Sequence, residues 1–80
     1  MNNNNIRLVY LEIPISESAS FFEKILTASS CGECDIRVKR NIASSICEFS
    51  LNFKFPGWKN EFLYQLKDGQ FIRWARYVVG

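Results

Sequence analysis

Eighty residues suffice for one small core, and neither a second domain nor a deep catalytic cleft is expected, since a chain of this size buries only about 60 to 65% of its unfolded surface. With 48% apolar and 15% aromatic residues that core can close on a few large rings, each contributing about 1.5 to 3 kcal/mol when buried. The net charge of +2 hides an asymmetry: residues 1–35 hold two bases against five acids, and residues 36–80 hold eight bases against three acids. A basic half can mark an anionic partner, yet the halves of a small sheet intermingle, and an evenly mixed surface is the favoured expectation.

Residues 1–5 read as a disordered polar tail and residues 6–80 as a single α+β domain. The opening has no basic region, and Arg7, Glu12 and Pro14 interrupt the apolar stretch that follows, so neither a signal peptide nor a membrane span is expected. Three cysteines, an odd number, fit a reducing cytoplasm better than a secreted disulfide framework.

From Ile6 to Ile13 the β-branched and aromatic run predicts a central strand, ended by Pro14. Ser16, or Ser18 in competition, is expected to cap a helix with Glu17 near its positive end. Ala19, Phe22, Ile25, Leu26 and Ser29 recur at helical spacing and predict its buried stripe, with Gly32 as a left-handed stop and Cys31 in the last turn. Asp35 to Arg40 alternates as a half-buried strand, and Asn41 to Ser45 returns the chain. From Ile46 to Phe55 the alternation is clearest, with Cys47, Phe49, Leu51, Phe53 and Phe55 on one face.

Pro56-Gly57 breaks that strand, after which residues 58–67 admit a helix on Trp58, Phe62 and Leu66 or a strand on Phe62, Tyr64 and Leu66. The helix is preferred. Phe71 to Val79 reads as a closing strand, although Arg73 and Arg76 fall on opposite faces of it. The preferred order is therefore βαββαβ, ferredoxin-like, with one helix and a five-stranded, antiparallel-rich sheet as the alternative.

Cys31-Gly32-Glu33-Cys34 is the one spacing with a known chemical use, as a zinc grip or a redox pair. A closed zinc site needs four ligands, and with no histidine only Cys47, Asp35 or a distant carboxylate could help complete it. The favoured reading is a pair of small thiols bracketing a turn, and no cofactor is expected. General acid-base work, phosphate cradling and an activated nucleophile all lack their usual residues, so no enzymatic activity is expected, although Glu12, Glu23, Glu48, Glu61 and Asp68 can still meet in space.

Two binding roles remain. Trp58, Tyr64, Trp74 and Tyr77 are more large rings than so small a core should need, and with Arg73 and Arg76 they form a candidate protein-binding set. An inhibitor or adaptor of a larger protein is the expectation, and a toxin-neutralising immunity protein or a mobile-element inhibitor of host defence fits the size class. The alternative is single-stranded nucleic acid, RNA included, held by Arg37, Lys39, Arg40, Arg73 and Arg76 with nearby rings for stacking. The sequence does not fix the oligomeric state.

Overall fold

The computed structural model of the chain describes residues 7–79. In chain order it holds strand β1 (Leu8–Pro14), helix α1 (Ile15–Thr27), a 3-10 turn (Ser29–Cys31), strands β2 (Cys34–Asn41) and β3 (Ile46–Phe53), helix α2 (Pro56–Asp68), a 3-10 helix (Ile72–Tyr77) and strand β4 (Val78–Val79). The expected tail, residues 1–5, and the expected first strand residue, Ile6, lie outside the described residues. The fold is a small α+β one, a four-stranded antiparallel sheet in the order β2-β3-β1-β4 with two helices. No helix among the described residues is long and apolar enough to cross a membrane.

Strand alternation sets the layers. Val9, Leu11 and Ile13 of β1 and Cys47, Phe49, Leu51 and Phe53 of β3 are all buried, and the helices cover that face. The register sets Leu11 against Phe49 and Val9 against Leu51, so a slip of one residue would turn this whole set to solvent. The opposite face carries Tyr10, Glu12, Glu48 and Ser50 and is half-exposed, as an antiparallel sheet covered on one side should be.

Helix α1 starts without the expected caps. Pro14 is its N-cap, no side chain bonds the free N–H groups, and the Ser18 hydroxyl instead donates to the Ile15 carbonyl at 2.8 Å. Its buried side is also rotated from the expected stripe. Phe21, Ile25 and Ala28 face the core, while Ala19, Phe22 and Leu26 are exposed. Phe21 wins because its ring meets Phe49 edge-on at 4.9 Å, Trp74 at 5.3 Å and Phe71 at 5.9 Å. Gly32 closes the next turn in a right-handed conformation, so the left-handed stop is not used.

Residues 56–68 form a helix, not a strand, with Pro56 in its first turn and Phe62 and Leu66 facing the core. The Ser30 hydroxyl, buried, donates to the Gln65 side-chain carbonyl at 2.8 Å and ties the first 3-10 turn to α2. The third strand ends at Phe53, two residues early, and Phe55 is exposed. Most of the expected closing strand is a 3-10 helix instead. Three residues per turn put Phe71, Trp74 and Tyr77 on its inner side and Arg73 and Arg76 on its outer side, and only Val78 and Val79 pair with β1.

Candidate functional site

Trp74 is 2% exposed and belongs to the core, so it leaves the set of candidate surface anchors. Its indole N–H donates to Glu17 Oε1 at 3.2 Å, and Arg73 reaches the same oxygen at 2.8 Å while its guanidinium lies 5.3 Å from the Trp74 ring. Arg76 donates to the Tyr77 hydroxyl at 3.1 Å, and that hydroxyl first, then Glu17, raises the Arg76 pKa further. The segment Arg73 to Tyr77 is thus fastened to the start of α1, with Tyr77 half-buried.

The other two candidate anchors sit on α2. Trp58 is 37% exposed and Tyr64 is 61% exposed, and Phe55, just before the helix, is exposed with Lys54 Nζ 5.7 Å above its ring. A groove of about 390 Å³, lined by none of these rings, runs between Lys59 and Leu63 of α2 and Leu8, Tyr10 and Val79 of the sheet.

The candidate nucleic-acid bases separate into two groups. Arg37 and Lys39 lie on the open face of β2, opposite Ser50 and Glu48, and Arg40 lies on the helix side opposite Cys47. Arg73 and Arg76 precede β4, at the other edge of the sheet. Both groups have acidic neighbours: Asp35 is 3.5 Å from Arg37, and Glu17 holds Arg73.

Among the carboxylates the register brings Glu12 and Glu48 directly opposite one another on the open face, with Lys39 completing the row. Partial burial, then Glu48 and Glu12, push the Tyr10 phenol up. Glu23 sits on α1, and Glu61 and Asp68 on α2, all exposed. The five expected acids therefore do not converge as a set.

Cys31 is buried in the 3-10 turn and Cys34 is half-buried at the start of β2. Burial pushes Cys31 up to about 11, and burial, then Cys31, then Asp35 push Cys34 up to about 12. Both thiols stay protonated at neutral pH, the opposite of what a redox pair needs. Cys47 pairs with Arg40 whereas Cys34 pairs with Phe53, six residues along β3 and about 20 Å away, so the three cysteines do not share one ion. Among the described residues no group of three or more acids or cysteines is placed to hold a metal.

One surface went unseen in the sequence. Phe22, 39% exposed, and Ala19 on α1 face Val38, 47% exposed, on β2 across a groove of about 280 Å³ floored by Cys47 and Phe49. Compared with protein-family models, with curated proteins and with solved structures, the chain matches none.

Proposed function

We propose that this chain is a non-catalytic protein-binding module, an inhibitor or adaptor that acts by occupying a surface of a larger protein. One observation carries the reading. The core already contains Phe21, Phe49, Phe53, Phe62, Phe71 and Trp74, and no buried side-chain polar atom among the described residues lacks a partner, yet Phe22, Phe55, Trp58 and Tyr64 remain exposed. Rings that the core does not use are what a partner surface uses, since aromatic anchors dominate binding energy. Trp58 and Tyr64 are the proposed anchors, and Arg73 with Arg76 orients the encounter. Immunity-type or anti-defence inhibition remains the class suggested by size alone.

For the architecture we infer the ferredoxin-like arrangement, with a fourth strand cut to two residues. Its support is the position of β1 between β3 and β4, with β2 outside β3. That arrangement hosts many activities and adds nothing to the functional choice.

The test is capture from lysate by the tagged full-length chain, with and without nuclease and at low and high salt. A stoichiometric protein that survives both treatments, and dissociates at least tenfold faster from Trp58→Ala, is the expected result. Retention lost to nuclease and falling steeply with salt would replace it with the nucleic-acid reading. Retention of nothing would overturn both.

A further inference from the structure

Strand β2 has β3 on one side and no strand on the other among the described residues, so eight residues, Cys34–Asn41, form a sheet edge. The outward peptide groups of such an edge are a template for another chain. Side chains alternate along it: Arg37 and Lys39 stand on the open face, and Ile36, Val38 and Arg40 stand on the helix side. On the helix side α1 stops short of the edge, leaving the apolar groove between Phe22 and Val38. Three bases stand on this strand against one acid, Asp35, which already lies 3.5 Å from Arg37.

We infer that β2 takes up an extended segment of a partner protein as a fifth strand, and that the segment alternates apolar with acidic side chains. The inference rests on the protein-binding reading. Backbone pairing along the edge supplies affinity, and the side chains on alternate sides supply selection. A residue opposite Val38 enters the groove beside Phe22 and must be apolar to fill it. Its two neighbours fall on the open face, beside Arg37 and Lys39, and a carboxylate there gains what a base would lose. The same charges disfavour a second copy of this chain, because antiparallel self-pairing centred on Val38 sets Arg37 against Lys39 twice.

The test is a displayed library of random dodecapeptides selected on the full chain, followed by binding of the best synthetic peptide to the wild type, to Val38→Glu and to the double variant Arg37→Thr, Lys39→Thr. These side chains are exposed, and circular dichroism verifies that the variants fold. The expected peptides alternate Val, Ile, Leu or Phe with Asp or Glu, protect amides 34–41 from hydrogen exchange, and bind each variant at least tenfold more weakly. Peptides without acids, protection elsewhere, or full affinity for both variants overturn the edge assignment and leave the protein-binding reading standing. Failure to select any peptide, while lysate capture still yields a protein partner, also overturns the edge alone; failure of both overturns both. A wild-type dimer in sedimentation that Val38→Glu dissociates assigns the edge to a second copy and overturns the acidic-segment proposal.

Discussion

Replacing Glu17 by alanine removes the one oxygen that accepts from both the Trp74 indole at 3.2 Å and Arg73 at 2.8 Å. The Arg73 guanidinium is largely in water, so that ion pair contributes about 0.2 to 1 kcal/mol. Glu17 also sits in the first turn of α1, where a negative charge contributes about 0.3 to 1 kcal/mol. The indole N–H is different, because Trp74 is buried and a buried donor left without an acceptor costs about 1 to 3 kcal/mol. The expected loss is about 1.5 to 5 kcal/mol, mostly from the indole. Glu17→Gln keeps an acceptor in place and should lose only about 1 kcal/mol. Urea unfolding followed by circular dichroism measures both, and Trp74→Phe closes the cycle. In that background, which has no indole donor, Glu17→Ala should lose only the two charge contributions, giving a coupling energy of roughly 1 to 3 kcal/mol. A coupling energy under about 0.5 kcal/mol, or equal losses for alanine and glutamine, would refute the assignment of the cost to the orphaned indole.

Two glycines should respond in opposite directions. A methyl group at Gly57 meets nothing within 4 Å, so Gly57→Ala should stabilise α2 by about 0.5 to 1 kcal/mol, whereas at Gly69 it meets the Gln65 Cα at 2.9 Å and Gly69→Ala should cost about 1 to 3 kcal/mol; thermal melts of the pair decide. Alkaline pH should weaken the fold. Cys31 at about 11 and Cys34 at about 12 keep protons that the unfolded chain releases near 9, so their contribution is whole below pH 9 and lost as pH rises through 11 to 12, with Tyr10 acting in the same direction. Unfolding titrations across that range should show the decline, and iodoacetamide at neutral pH should alkylate Cys31 and Cys34 slowly until urea exposes them; rapid native labelling would contradict the raised thiols.

Strict alternation made β3 legible, because Cys47, Phe49, Leu51 and Phe53 at period two admit one answer, although Phe55, which continues the pattern, falls beyond the strand and is exposed. Helix α1 was legible as a helix and not in phase: Ala19, Phe21, Phe22, Ile25 and Leu26 surround much of its circumference, and only the position of Phe49, Phe71 and Trp74 decides which side is inside. The last segment misled because Ile72, Trp74, Tyr77, Val78 and Val79 are strand-forming types. The conflict between Arg73 and Arg76 under period two was the available clue, since at period three both fall on the outer side and Phe71, Trp74 and Tyr77 on the inner. Of the candidate site, Trp58 and Tyr64 on α2 and the bases of β2 could be located from the sequence. The groove beside Val38 could not, because it exists only where α1 ends its cover of β2, and that is a matter of packing between residues far apart in the chain.

The place of β1 in the middle of the sheet governs the order in which the molecule can assemble. This first strand pairs with β3, about forty residues later, and with β4 at the far end of the described chain. Phe21 likewise waits for Phe71 and Trp74, about fifty residues on, before its ring is enclosed. Among the strands of the described residues only the β2–β3 hairpin joins neighbours in sequence. During synthesis, then, β1 has no strand to pair with until β3 has emerged, and Phe21 lacks its Phe71 and Trp74 contacts until the 3-10 helix follows, a dependence on distant contacts of the kind that slows folding.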